Sequence, residues 1–391
     1  MKIGILTHNY PRTKNERKDA GIFLMDFANQ INKNQVHNNQ VHKKFDVAIF
    51  SPDFGGKKEM DKNIPVTWFA WQGPRKKLGD LNMFSLSSFW YFLKLLIIGS
   101  GKAVQFVKTN NIDYNLAAWA IPSGLYAYWV KKVLRTPYGV WNLGSDINKY
   151  AKYPILRQIV VLILRNADHV FANSYDLVKK VEKISGKKVF MLPAVTRFNS
   201  VDKNVVHGKN KHFKFLFVGR LEKVKGPDIL IQAARLLKKN HPRLDFSVDV
   251  VGGGSMESEL KEIIKNYKLS KVVQMRGWAN EEEVSEFMNA SDCLLITSRS
   301  ESLPLVILEA AKSSLPVIAS NVGDCPFLIK KYKIGFSFEN QDAKALASCM
   351  EKIINSKKLN KIGFAKLIRD YSLERSAELF TEKVSQIISP K

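Results

Sequence analysis

Only three cysteines occur in 391 residues, Cys293, Cys325 and Cys349, and no C-x-x-C pair is among them. That excludes a disulfide framework and a cysteine zinc site, and it suits a reducing compartment, so the expected location is cytoplasmic. No two aspartates stand at i and i+2, so an Asp-x-Asp metal site is missing and no metal is expected. Long apolar runs are missing too. The most apolar stretch, Leu86 to Ile98, falls short of the ~20 residues that span a bilayer and contains Lys94. The opening MKIGILTHNY lacks the longer hydrophobic stretch of a signal peptide and reads as a buried first strand. No short-period repeat or low-complexity tract is present. Acidic residues are scarce, 36 against 61 Lys+Arg, for a net charge of +25. The imbalance is steepest in residues 1–200, with 30 basic and 13 acidic side chains. Such a field attracts polyanions, whether nucleic acid, anionic lipid or a diphosphate substrate, although a bias spread over solvated faces would give the same count.

What is abundant points to two packed α/β domains. The chain is 45% hydrophobic and 11% aromatic, and single cores rarely grow past ~250 to 300 residues. Short β-branched runs alternate with amphipathic segments in both halves, the signature of parallel α/β units. KFLFVG (214–219) predicts a strand, GPDILIQAARLLKKN (226–240) a helix with Pro227 in its first turn, and DFSVDVVG (245–252) the next strand. The first half begins likewise with KIGILTH (2–8), a helix over about 21–33 and FDVAIF (45–50). Residues 196–212 break the rhythm with polar and turn-forming residues and are expected to be the linker. The expected lobes are 1–195, with 374–391 packing back on it, and 213–373.

Two segments carry chemistry. In VGRLEKVKGPDILIQA (218–233), Arg220 and Lys225 lie in a loop that leads into a helix start, an arrangement suited to an anion such as a diphosphate. The loop lacks the G-x-x-x-x-G-K pattern, so it is not a nucleoside-triphosphatase loop. By itself it reads equally as surface cations flanking a turn. In SRSESLPLVILEAAKS (298–313), Glu301 precedes a helix with Pro304 in its first turn, and Glu309 lies inside it. Glu301 falls at the carboxy end of a strand, where open α/β sheets bind ligands, and carboxylates there accept hydrogen bonds from sugar hydroxyls. Taken alone, the pair is also readable as a helix cap and a solvated face.

Together, in this order and spacing, the segments resemble the retaining family-four glycosyltransferases (glycosyl transferases group 1). Supporting segments are VVGGGSMESEL (250–260), HNYPRTKNERKDAGIFLMDFANQI (8–31), AAWAIPSGLYAYWVKK (117–132) and PYGVWNLGSDI (137–147). The resemblance implies a GT-B fold, α/β, with two Rossmann-like doubly wound parallel-sheet lobes and an interlobe cleft. It implies that Arg220, Lys225 and Gly21 bind the donor diphosphate, that Glu301 faces the donor sugar and that Glu309 faces the ribose. Asp146 matches the acidic residue of the family's G-S-D segment and is the candidate for positioning the acceptor, with a buried helix-start aspartate as the alternative. Where many relatives carry a His before the Trp-like position, this chain has Ala118; Phe327 stands for the family's acid in VGDCPFLI (322–329).

The implied reaction is transfer of a hexose-type sugar from a nucleoside diphosphate sugar to a glycan or lipid-linked acceptor, with retention and without metal or cofactor, in cell-surface polysaccharide synthesis. The segment 90–108 interleaves apolar residues with Lys94, Lys102 and Lys108, so it is either a core-facing helix or an attachment to an anionic membrane at its inner face. Basic loops at 14–18, 55–58 and 74–77 favour the second reading. Rival readings are an inactive sugar-nucleotide-binding subunit, an epimerase or phosphorylase on the same fold, and a basic nucleic-acid-binding protein. No binding motif with stacking aromatics supports the last, so no nucleic-acid partner is expected.

Overall fold

The computed structural model describes residues 1–12, 21–33, 45–55, 64–71, 85–148, 150–195, 212–356 and 361–388. The chain divides into two compact units, Met1–Arg197 with Ser372–Lys391, and Phe198–Tyr371. The expected linker lies outside the described residues except for His212.

In unit 1, seven strands form one parallel sheet: β1 (Lys2–Leu6), β2 (Asp46–Pro52), β3 (Val66–Phe69), β4 (Tyr114–Ala118), β5 (Tyr138–Asn142), β6 (His169–Ala172) and β7 (Phe190–Met191). Their order is β3-β2-β1-β4-β5-β6-β7, so the winding direction reverses between β1 and β4. Every residue of β4, β5 and β6 is buried, as expected of a sheet covered on both faces, which is why these strands read as apolar runs without alternation. One face packs Phe50, Phe69, Tyr126 and Val140 into a core. Over the other, the final helix Leu373–Ile388 brings Phe380 against Phe27 and Phe171, with ring centroids 5.5 and 5.7 Å apart. Ser376 adds a hydrogen bond from its hydroxyl to the Pro193 carbonyl, 3.2 Å.

The helix Leu86–Asn110 follows the core-facing reading of its sequence along one stripe and carries exposed apolar side chains along another. It buries Leu95, Ala103, Phe106 and Val107 in the unit 1 core and leaves Phe89, Trp90 and Ile97 half or more exposed. Gly99 is required there, since a Cβ would lie 2.4 Å from the Tyr126 ring of the neighbouring helix Leu125–Leu134. No described helix is long and apolar enough to cross a membrane.

Among the described residues, unit 2 has six parallel strands: β8 (Phe213–Val218), β9 (Phe246–Val251), β10 (Val273–Gly277), β11 (Cys293–Ile296), β12 (Val317–Ser320) and β13 (Gly335–Phe338). The order β10-β9-β8-β11-β12-β13 again reverses at one place, between β8 and β11. The helix Pro227–Asn240 buries Ile229, Leu230, Ala233, Ala234 and Leu237 at helical spacing, with Pro227 in its first turn, where a missing N–H breaks no intrahelical bond. The three cysteines are buried and free.

Candidate functional site

In open α/β sheets ligands bind beyond the carboxy ends of the strands where the order reverses, which in unit 2 means the segments that leave β8 and β11. From β8 the chain passes through Gly219 and the exposed Arg220, makes a single tight turn over Lys223–Lys225 and enters the helix at Pro227. Gly226 joins turn to helix with φ of +65°, and a Cβ there would lie 2.1 Å from the Thr297 carbonyl oxygen. Both the left-handed backbone and the close approach call for glycine.

The segment leaving β11 comes to meet this turn. The Lys225 ammonium forms an ion pair with Glu301, whose same oxygen accepts the Ser298 hydroxyl at 2.8 Å. Only 27% of the Lys225 side chain and 12% of the Glu301 side chain remain exposed, so the pair is largely withdrawn from water. One residue before Ser298, the Thr297 hydroxyl lies 3.1 Å from the Lys225 carbonyl and 2.8 Å from that of Gly226. Arg299 grips Asp228, in the first helical turn, through both carboxylate oxygens at 2.8 and 2.6 Å. On the opposite side of the turn, Glu222 accepts the Ser255 amide (3.0 Å) and hydroxyl (2.7 Å), tying it to the segment after β9.

Glu309 lies in the middle of the helix Leu305–Lys312, with Pro304 one residue ahead of it as the cap rather than inside the first turn. Burial, aided by the nearby charge of Glu281 and opposed by Lys312, pushes its carboxyl up to about 7. Asp228 shows the opposite balance: burial alone would raise it, but the Arg299 hydrogen bonds and charge hold it below its ordinary range.

Unit 1 places Gly21 immediately before the helix Ile22–Lys33, where a Cβ would lie 1.9 Å from the Asn9 carbonyl oxygen. Asp146 is wholly buried, not presented to an acceptor. Its carboxylate accepts the backbone N–H groups of Ala120 (3.0 Å), Gly144 (3.1 Å) and Ile147 (3.2 Å), so it acts as the buried helix-start aspartate and any effect it has on a ligand passes through the backbone it holds. The turn it fixes contains Trp119, with φ of +68°, a strained conformation for a bulky side chain. Trp119 packs on His8, which follows β1, with ring centroids 4.6 Å apart. Burial lowers the His8 imidazole to about 4, and its Nδ1 has no hydrogen-bond partner. The sequence reading singled out neither residue; the signal was the register of β1 against β4, which pairs Leu6 with Ala117 and brings the two segments side by side.

Among the described residues, no group of three or more His, Cys, Asp or Glu side chains could hold a metal ion. The basic loop at 14–18 lies outside the described residues, as do 56–58 and 74–77.

The family model described as glycosyl transferases group 1 matches residues 200–363. The D-inositol 3-phosphate glycosyltransferase of Arthrobacter sp. (strain FB24) is 32% identical over 143 residues, which are 36% of this chain and 34% of that protein. The UDP-Gal:alpha-D-GlcNAc-diphosphoundecaprenol alpha-1,3-galactosyltransferase of Escherichia coli is 31% identical over 172 residues, 43% of each chain. The chain thus spans about a third of the length of the curated relatives it matches first. Among solved structures, the lipopolysaccharide outer core galactosyltransferase WaaB aligns over 99% of this chain and all of its own, with a TM-score of 0.73 at 18% identity. That likeness establishes the fold, two Rossmann-like lobes of the GT-B type.

Proposed function

We propose that this protein, whose residues 200–363 match the model of the glycosyl transferases group 1 family, transfers a hexose-type sugar, with retention, from a nucleoside diphosphate sugar to a glycan or lipid-linked acceptor in cell-surface polysaccharide synthesis. The observation that carries the reading is the meeting of Lys225 and Glu301 where the strand order of unit 2 reverses, beside Arg220 and a helix start. The diphosphate takes Lys225, Arg220 and the positive end of the helix Pro227–Asn240, groups whose positive charge stabilises it as it leaves. Glu301, freed from Lys225 by the incoming phosphate, turns to the sugar, and the Glu309 carboxylate accepts the ribose hydroxyls. In unit 1, Gly21 lets the Asn9 carbonyl pack against the start of the helix Ile22–Lys33, whose positive end is the part offered to an anion, while Asp146 serves as a positioning residue through the Trp119–Ala120 backbone.

In the proposed step the acceptor oxygen bonds to the anomeric carbon on the face that the diphosphate leaves. The carbon–oxygen bond to the diphosphate breaks, and the acceptor proton passes to the departing phosphate oxygen. Cationic side chains carry the charge that Mg²⁺ carries elsewhere, so activity in excess EDTA should equal activity without it. A strict Mg²⁺ or Mn²⁺ requirement would refute this part of the reading. The decisive experiment is a thermal-shift screen of nucleoside diphosphate sugars: a donor should raise the Tm in proportion to occupancy, and no response to any of them would sink the proposal. Anomeric configuration of the product, read by NMR, tests retention.

A lipid-linked acceptor is favoured by the exposed Phe89, Trp90 and Ile97 of the helix Leu86–Asn110, interleaved with exposed Lys94, Lys102 and Lys108. The neighbouring helix Leu125–Leu134 adds exposed Trp129 and Val133 beside Lys132. Peripheral association with an anionic inner membrane face predicts cosedimentation with phosphatidylglycerol vesicles and not with phosphatidylcholine ones.

A further inference from the structure

The helix Pro227–Asn240 begins with a carboxylate, Asp228, inside its first turn. An acid at that position occupies the positive end of the helix and, left alone, repels any anion that approaches the same amides. It is not left alone. Arg299 caps it with a two-pronged contact, at 2.8 and 2.6 Å, in which only about a fifth of each side chain (20% and 19%) is exposed. The planar guanidinium suits this bidentate grip in a way an ammonium does not.

Arg299 does a second thing. Its Nη1 also donates to the Lys223 carbonyl at 2.6 Å, and its backbone amide donates to the Val224 carbonyl at 2.8 Å. With Thr297 reaching the carbonyls of Lys225 and Gly226, four consecutive carbonyl oxygens of the turn are held by residues 297–299. Arg299 is itself braced, its Nε donating to Gln341 at 3.1 Å and its carbonyl accepting the Asn340 amide at 3.2 Å.

We propose that Arg299 is a positioning residue of the unit 2 anion site: it cancels Asp228 and fixes the Lys223–Gly226 turn, so that the helix start and Lys225 together receive a diphosphate. The inference rests on the diphosphate reading of that site given above. Arg299 does not touch the ligand; its effect is to keep a neighbouring negative charge occupied. Two substitutions separate this role from ordinary support of the fold. Arg299→Ala exposes Asp228 and should weaken diphosphate binding by about 30-fold, about tenfold of it from one uncancelled charge in a partly screened site and the rest from the loosened turn. Asp228→Asn keeps the shape, removes the charge and should leave binding equal or tighter. Combined, Arg299→Ala/Asp228→Asn should recover about tenfold of the loss, the remainder being the loosened turn.

The test is calorimetric titration of the full chain and its three variants with UDP, GDP, ADP and inorganic pyrophosphate, at a temperature where thermal unfolding shows each variant folded. A merely structural arginine predicts a lowered Tm in both Arg299 variants and no recovery of affinity in the double one; that result overturns the proposal. Binding by Arg299→Ala within threefold of wild type overturns it as well, while leaving the diphosphate reading intact. If wild type binds none of the four probes, the diphosphate reading falls and takes the inference with it. Should Arg299→Ala fail to fold, the comparison of Asp228→Asn with the double variant still decides: with the acid gone, loss of Arg299 must cost less than about fivefold, and a larger loss refutes the charge-cancelling role.

Discussion

Replacing Glu309 by Gln should stabilise the protein, an unusual expectation for a residue assigned to ligand binding. The carboxyl is pushed from its ordinary 4.5 up to about 7 by burial and by the charge of Glu281. A folded state that holds its proton more tightly than the unfolded chain loses stability as pH rises. The contribution is fully present below 4.5, is lost progressively as pH climbs through about 7, and the cost is constant above that. At 1.36 kcal/mol per pH unit the ceiling is about 3 kcal/mol, and because the side chain keeps partial contact with water, about 1–2 kcal/mol is the expected cost at pH 8. Glu309→Gln keeps the shape and cannot ionise. Its unfolding transition should match wild type at pH 4.5 and lie about 3–5 °C higher at pH 8. The same carboxylate gives a binding signature: a ribose diol donates to the ionised form, so wild-type affinity for UDP should rise about tenfold between pH 6 and 8 beyond any change seen in Glu309→Gln. Calorimetry on both proteins across that range, paired with thermal unfolding, checks both statements. Parallel stability profiles for variant and wild type would show that the carboxylate is neither desolvated nor poised, and the ribose assignment would lose its physical basis.

Arg220→Ala and Lys225→Ala should each weaken nucleoside diphosphate binding by about 1.5–3 kcal/mol, read by calorimetry. They should differ in stability, because Lys225→Ala strands the largely withdrawn Glu301 and lowers the Tm, whereas the exposed Arg220 leaves it unchanged; equal Tm values would argue against the pair. Glu301→Gln should reduce kcat by about 2–4 kcal/mol of barrier while UDP binds as well or better, since Lys225 is no longer shared; steady-state kinetics beside binding data separates the two. Phe380→Ala, which empties a fully buried site in unit 1, should cost about 3–5 kcal/mol by the pattern of large-to-small core changes, measured by denaturant unfolding.

The loop of Arg220 and Lys225 was legible because everything it needs is local: a strand, a turn, a glycine, a proline and a helix in sixteen consecutive residues. The pairing of Lys225 with Glu301, 76 positions on, was not, since it depends on β8 and β11 lying side by side where the sheet reverses. Arg299 and Asp228 escaped for the same reason, each looking like an ordinary helix-flanking charge until the fold joins them. Asp146 was visible as a residue but not as a geometry, because a carboxylate that binds backbone amides leaves no side-chain partner to find in sequence. Strands β3 and β13 are short edge strands, four residues each, with too little apolar pattern to stand out. Of the two readings offered for residues 90–108, the core-facing one holds for the buried stripe, while the exposed stripe leaves membrane attachment as a proposal.

The final helix, Leu373–Ile388, completes the first unit although unit 2 intervenes in the chain. During synthesis, then, the aromatic face of Phe27, Tyr114 and Phe171 emerges from the ribosome long before Phe380 exists to cover it. Unit 2, continuous from Phe198 to Tyr371, can finish folding while its predecessor still waits open. A chain cut before residue 373 therefore leaves Phe27 and Phe171 without their cover, an exposed apolar flank of the kind that aggregates.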